Sequence, residues 1–187
     1  MNSTLRTHLR NATGQIHAQL DALVGEFSDL ARYKIYLKGL YAFRAPIEWD
    51  ISSADLPASY GDWRPRMIGL ELRQDLEDLL VEAGRPERLA PVIARSESWW
   101  AGTLYVLEGS SIGARLLHRR AHALGLSDKH GARHLAAQTS RRDTWPTFLG
   151  LIESSTAIDP NIAGEAAQNA FSLALNAFAK EADVCDN

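Results

Sequence analysis

Apolar residues recur at three- and four-residue spacing along nearly the whole chain, and nowhere do they alternate long enough for a convincing strand. Leu5, Leu9, Ala12, Ile16, Leu20 and Leu23 make one stripe, with Ser3 or Thr4 as cap and Gly25 as stop. Asp29 caps a second pattern through Tyr33, Leu37, Leu40, Tyr41 and Ile47, which Pro46 should kink or end. Residues 51–63, with Ser52, Ser53, Pro57, Ser59 and Gly61, predict a loop. A third helix is expected from about Pro65 to Ala83, stopped by Gly84, and Arg85 to Pro91 reads as a connection or short helix. The longest helix runs from about Ser96 to Leu124, should bend at its glycines, and has Gly125 as its C-cap. Residues 127–142 are the least regular stretch. Asp143 caps a helix through Ile152 with Pro146 in its first turn, and Pro160 opens the last helix, to about Ala182. No internal repeat, linker or low-complexity tract interrupts this order. The expectation is one all-α domain over residues 1–187, a single bundle of about seven to eight helices with a frayed tail after about residue 182.

The first helix carries chemistry on the flank of its stripe. His17 sits about 80° from the stripe's centre at 100° per residue. Arg6, Arg10 and Thr13 share that flank, so one line reads cation, cation, histidine. Arg10 precedes His17 by two turns, about 10 Å of axis. A neutral imidazole can bind a metal and a guanidinium can hold a carboxylate. A histidine in this position serves packing or hydrogen bonding more often, so the line needs a partner surface.

The long helix supplies a candidate. Gly102, Gly109 and Gly113 fall within about 40° of each other on its wheel, bordered by Ile112 and Leu116. Each glycine costs about 1 kcal/mol of helix propensity against alanine, so three on one face need a local reason. Close approach of a flat ligand is one, and tight helix packing or a kink is the other.

LRNATGQIHAQLD (Leu9–Asp21) and LYVLEGSSIGARLL (Leu104–Leu117), taken together, resemble the haem oxygenase family, in its bacterial biliverdin-producing branch. The first matches that family's L-[RK]-x-A-T-x-x-x-H proximal pattern, and the second its Y-V-x-E-G-S-x-x-G distal pattern. MIGLELRQDLEDLL (Met67–Leu80) and TWPTFLGLIES (Thr144–Ser154) are also similar, so the likeness spans most of the chain.

The resemblance implies a haem oxygenase-like helical bundle in which haem is both substrate and cofactor. Dioxygen is the co-substrate, and the products are biliverdin, carbon monoxide and iron. It implies His17 as the axial ligand, the metal site of the chain. Arg10 would lie near a propionate, with Arg6 weaker, Thr13 near the haem edge, and Gly109 and Gly113 on the distal face. The iron-to-propionate span of haem is roughly the two turns between His17 and Arg10. Ser110 stands where animal-type members carry an aspartate, which leaves open what orders the distal waters. Gly109, Ser110 and Gly113 are the expected catalytic positions. Glu108 and Arg115 project roughly opposite the glycines and receive no catalytic role. The last helix carries only Lys180 as a base, which puts a propionate contact there in doubt.

Electrons must come from an external donor, a reductase or ferredoxin, because the sequence has no flavin or nicotinamide fingerprint. Biliverdin could pass to an acceptor such as a bacteriophytochrome. A non-catalytic haem carrier or sensor on the same fold is the alternative, separable by turnover. A thiaminase-like hydrolase would need a pocket cysteine, and the sole cysteine, Cys185, lies in the tail. That count excludes an internal disulfide and a Cys-based metal site.

Composition is ordinary: 45% hydrophobic, 23% charged, net charge −3, which gives no basic field for nucleic acid. No run reaches a membrane span, no signal-like apolar core opens the sequence, and a bacterial cytoplasmic setting is expected. Lys129, His130, Arg133, His134, Arg141 and Arg142 read as a solvated basic loop, or else as further carboxylate contacts or a reductase docking face. His118 and His122 are one turn apart, but with no third ligand apparent they are expected to be surface histidines. His8 is expected at the surface, and Trp99–Trp100 in packing.

Overall fold

A computed structural model describes residues 4–84, 95–141 and 143–183. Among the described residues there are seven α-helices, one short 3-10 turn and no strand, as the periodicity predicted. They are α1 (Leu5–Val24), α2 (Leu30–Ser53), α3 (Gly69–Asp78), α4 (Glu97–Ala123), α5 (Arg133–Ser140), α6 (Thr144–Ser154) and α7 (Pro160–Asp183). Ser3, Cys185, Arg142 and the expected connection at 85–91 lie outside the described residues.

The helix ends show which local signals won. The Thr4 hydroxyl accepts from the Thr7 N–H, and Gly25 closes α1 at φ 59°. The Asp29 carboxylate accepts from the Arg32 N–H, satisfying one of the orphan donors of α2. Asp143 stands at the head of α6 without a side-chain cap; its carbonyl accepts from Thr147 instead. α4 ends in a Schellman turn, with Leu126 N–H on the Ala121 carbonyl at 3.1 Å, Gly125 N–H on His122 at 3.0 Å, and Gly125 at φ 84°.

Three boundaries differ from expectation. Pro46 does not end α2, which continues to Ser53. The ring removes one N–H donor, and burial of Phe43, Ile47 and Ile51 on both sides outweighs that loss. α3 covers only Gly69–Asp78 of the expected 65–83. It is closed by a second Schellman turn, whose left-handed position is taken by Leu80 at φ 53°. Residues 127–142 contain a helix, α5, where an irregular basic stretch was expected. Its charges are paired rather than solvated: Asp75 accepts from the N–H groups of Arg133 and His134, and Asp78 from Arg133 Nη1.

α7 is the spine. It packs against α1, α2 and α4, while α1 and α4 barely touch each other. Small residues make this possible. Ala163, Ala166, Ala167, Ala170 and Ala174 are all buried on α7. A Cβ on Gly102 of α4 would sit 2.0 Å from the Ala163 carbonyl oxygen. Behind α4, Arg44 of α2 is 1% exposed, and each of its three nitrogens has an acceptor. It donates to Glu48 Oε1 at 2.8 Å, the Leu107 carbonyl at 3.1 Å and the Arg66 carbonyl at 2.6 Å. Glu48 in turn accepts from the N–H groups of Ile68 and Gly69 at the head of α3. Removing the guanidinium would take the counter-charge from a buried carboxylate and a donor from the Arg66 and Leu107 carbonyls. Arg44→Met is therefore expected to lose about 3–5 kcal/mol in urea unfolding, and a loss within experimental error would show that the pair is dispensable.

Candidate functional site

The site is built from the gap between α1 and α4. On α1, Leu9 is fully buried and Leu5, Ile16 and Leu20 pack on the core, so the polar flank beside the stripe is held at the surface. The α1 N-terminus is tied to α6, because Glu153 accepts from the Leu5 N–H at 3.3 Å and the Arg6 N–H at 2.7 Å. A carboxylate there also suits the positive end of the helix dipole.

His17 is exposed, and its orientation is fixed from two sides. Its Nδ1 lies 3.0 Å from Asp21 Oδ2, one turn on. Phe171 of α7 meets the ring edge-on, with centroids 5.3 Å apart. Donation from Nδ1 to the carboxylate leaves Nε2 as the basic nitrogen of an exposed ring, with no partner among the described residues. Metal-binding histidines are held in this way, the carboxylate setting the tautomer.

Opposite stands α4. Burial pushes the Tyr105 phenol pKa up, and the guanidiniums of Arg6 and Arg10 act against that shift, so both cations lie within electrostatic range of Tyr105. Further along, Arg120 of α4 bonds Glu26, just past the end of α1, at 2.6 Å. With Arg6 and Arg10 in electrostatic range of Tyr105 and Glu26 bonded to Arg120, the two helices run in the same general direction. His17 is seven residues beyond Arg10, and Gly113 is eight beyond Tyr105. At about 1.5 Å per residue they stand at nearly the same height.

The glycine face divides. A Cβ at Gly113 would meet nothing within 4 Å, and one at Gly109 would meet only Trp145, at 3.6 Å. Ile112 and Leu116 beside them are 62% and 44% exposed, so an apolar surface is left open around Gly113. Gly102 is different: it lets α4 lie against α7 and takes no part in the gap. The shared wheel position was real, but its cause differs along the helix.

The remaining expected positions are placed as follows. Arg6 and Arg10 are exposed. Thr13 is 3% exposed and its hydroxyl donates to the Leu9 carbonyl at 2.8 Å; the structure sets it inside the helix packing and not on the open flank. Ser110 donates to the Leu107 carbonyl at 2.6 Å and accepts from Gln138 Nε2 of α5 at 3.1 Å. Glu108 is buried behind the glycine face, accepting from the Arg66 N–H at 2.6 Å, and burial raises its pKa. Arg115 lines an open cleft with Ser111, Ile112, Thr139 and Trp145.

Four histidines differ from expectation. His134 is fully buried, bonded through Nδ1 to Asp75 at 2.8 Å and through Nε2 to the Tyr36 hydroxyl at 3.3 Å. Burial pulls its pKa down despite Asp75. It locks α5 to α2 and α3 and serves no docking surface. His8 is half-buried, with its ring beside Gly164 of α7. His118 and His122 do have a third neighbour, Asp128. Sequence reasoning also missed Tyr105, although it opens the distal motif, because its role depends on which helix faces it.

No protein-family model matches the chain. It is 28% identical over 148 residues, 75% of this chain and 73% of the relative, to a protein named Heme oxygenase PigA from Pseudomonas aeruginosa. Its fold is similar to that of the NO- and CO-bound heme oxygenase of Neisseria meningitidis, with TM-score 0.78 and 26% identity over 95% of this chain and 92% of that one.

The glycines give a stability test that needs no ligand. Gly102→Ala is expected to lower apo stability by about 1–3 kcal/mol through overpacking. Gly109→Ala and Gly113→Ala should hold it or raise it by up to about 1 kcal/mol. Thermal melts of the three variants check this, and a clear loss at Gly113 would make that position a packing glycine as well.

Proposed function

We propose that this chain, a member of the haem oxygenase family, cleaves haem oxidatively to biliverdin, carbon monoxide and iron. The reaction consumes dioxygen and electrons from an external donor. The observation that carries the residue assignment is an exposed imidazole held at Nδ1 by Asp21, with Nε2 unpartnered among the described residues; open backbone at Gly113 and the two cations Arg6 and Arg10 within electrostatic range of Tyr105 on α4 support it. The arrangement fits haem, which has a ligand position at its centre, apolar faces and carboxylates at one edge.

Bound haem supplies the iron that activates dioxygen and the meso carbon that is oxidised. The chain's own residues do the rest. His17 Nε2 is the proximal ligand, and Asp21 keeps Nδ1 protonated so that Nε2 presents its lone pair. Arg10, with Arg6 as a second contact, holds the propionates and so sets the in-plane rotation of the ring. Gly109 and Gly113 keep side chains out of the distal space and let backbone come close. Ser110, fastened to Gln138, positions α4 against α5; it is a positioning residue for the distal face. Tyr105 remains a neutral phenol and can donate a hydrogen bond at the arginine end.

Among the described residues no helix is long and apolar enough to cross a membrane. We place the protein in the cytoplasm, where a reductase or ferredoxin supplies electrons and an acceptor such as a bacteriophytochrome could take biliverdin.

The deciding experiment is to titrate haemin, follow the Soret band, then add ascorbate or reduced ferredoxin in air. Biliverdin is expected; stable haem with no breakdown would identify a carrier instead. His17→Ala should keep the fold, lose the histidine-ligated spectrum and regain it with imidazole; a wild-type haem spectrum in that variant would exclude His17 as ligand. Arg10→Glu should weaken haem binding by about tenfold or more, on the scale of one lost charge-assisted contact, or shift the biliverdin isomer ratio. If both stay unchanged, Arg10 is not at the propionates. Gly109→Ala and Gly113→Ala should slow haem breakdown or divert it toward ferryl chemistry, and normal turnover per folded molecule would remove them from the distal face.

A further inference from the structure

The C-terminal end of α4 carries a cluster that the haem reading does not use. His118 and His122 are one turn apart on α4. The chain then leaves the helix through the Gly125–Leu126 turn. Ser127 and His130 exchange backbone hydrogen bonds at 2.9 and 3.0 Å, and this tight turn brings Asp128 back across the two rings. His118 Nε2 lies 2.7 Å from Asp128 Oδ1, and His122 Nε2 lies 3.2 Å from the same oxygen. The two Nε2 atoms are 3.1 Å apart. His118 is the more enclosed, at 19% side-chain exposure against 49% for His122 and 60% for Asp128, so the cluster has a protein floor and a solvent side.

Protons satisfy this triangle poorly. Two neutral rings that both donate from Nε2 to one carboxylate oxygen bring their N–H groups against each other. If one ring instead presents a lone pair to its neighbour, that lone pair also faces the carboxylate. A cation at the centre satisfies all three atoms together. Zinc–nitrogen bonds of about 2.0–2.1 Å at tetrahedral angles put neighbouring donors about 3.3–3.4 Å apart; the 3.1 and 3.2 Å spacings are close to that, and the 2.7 Å His118–Asp128 spacing must open by about 0.6 Å to admit the cation. Two imidazoles and one carboxylate suit zinc, cobalt, nickel or ferrous iron, and do not suit magnesium or calcium, which prefer all-oxygen shells.

We propose that His118, His122 and Asp128 bind one divalent transition-metal cation through two Nε2 atoms and a carboxylate oxygen, with water completing the shell on the solvent side. The cation joins the last turns of α4 to the 127–131 turn. The site is separate from the haem gap and does not rest on the haem reading. Its cation could be zinc from solution, or ferrous iron released by haem cleavage a few residues up the same helix; both present the same chemistry to these donors.

The test uses untagged, haem-free, full-length protein. Zinc chloride is titrated calorimetrically, ferrous iron is titrated under anaerobic conditions, and cobalt(II) is added as the optical probe. One equivalent per chain is expected, with the strong visible bands of four-coordinate cobalt and a raised melting temperature. The His118→Ala/His122→Ala double variant should lose affinity by at least about a hundredfold, Asp128→Asn should lose less, and His130→Ala should bind like wild type. Dichroism checks that each variant is folded. Because zinc outbinds ferrous iron at most nitrogen–oxygen sites, the two sources are told apart by metal analysis of the untagged protein after haem turnover in zinc-free buffer: one equivalent of iron retained by wild type and lost in the double variant assigns released iron, and none retained assigns zinc. Absence of saturable binding by either metal overturns the proposal, as does stoichiometric binding that the double variant and Asp128→Asn leave unchanged.

Discussion

A single buried guanidinium sets the depth at which α4 lies. Arg44 is almost wholly withdrawn from water, a position that is strongly unfavourable unless every donor is used. Its acceptors come from three places: Glu48 on its own helix, the Arg66 carbonyl before α3, and the Leu107 carbonyl in the middle of α4. Because Glu48 also takes the first N–H groups of α3, the one ion pair fixes α2, the head of α3 and α4 together. Leu107 is on the back of α4. At 100° per residue, Tyr105 and Gly109 project roughly to the opposite side. The clamp thus holds α4 from behind and leaves its glycine face with Trp145 beside Gly109 and open space at Gly113.

The width of the gap has a second cause. α1 and α4 are not braced by contact with each other; each is laid against α7. Alanine and glycine at the contacts decide how close each can lie. Gly102 allows α4 to touch the α7 backbone near Ala163, and Gly164 sits beside His8 and Ala12 of α1. Larger residues on α7 would spread the two walls. The gap is therefore a property of a helix that itself supplies only Phe171 to the candidate site. This also explains why a helix of alternating alanines, with few groups capable of chemistry, occupies the centre of the protein.

Signals carried within a few residues were legible in the sequence: apolar period, a cap at Ser3 or Thr4 and one at Asp29, glycine stops at Gly25 and Gly125, and the cation–cation–histidine line on α1. Features made by partners far along the chain were not. α5 looked irregular because its stability comes from Asp75 and Asp78, more than fifty residues earlier. Pro46 looked like an end because the burial that carries α2 past it is tertiary. Gly102 and Gly113 share one wheel position, and only the neighbouring helix separates a packing glycine from an open one. Asp128 was missed because a turn, and not a helical repeat, returns it to His118 and His122. In the candidate site, the α1 line was legible, while the Asp21 lock on His17 and the Tyr105 contact required the fold.

The parallel course of α1 and α4 has a further consequence for the site. With Arg6 and Arg10 in the first turns of α1 and Glu26 bonded to Arg120 past its far end, the gap has a polarity along its length. The cations lie at the N-terminal end of α1, the imidazole and the open glycine further along, and an ion pair closes the far end. A flat ligand with carboxylates on one edge can place them with the arginines only in one orientation along the helices. Its centre then falls at the height of His17 and Gly113, about two turns further on. Turning the ring over about that same axis keeps both the carboxylates and the centre in place. The arginines and His17 therefore fix the ring's direction and height, while choice between its two faces falls to the apolar contacts at Ile112, Leu116 and the walls of the gap.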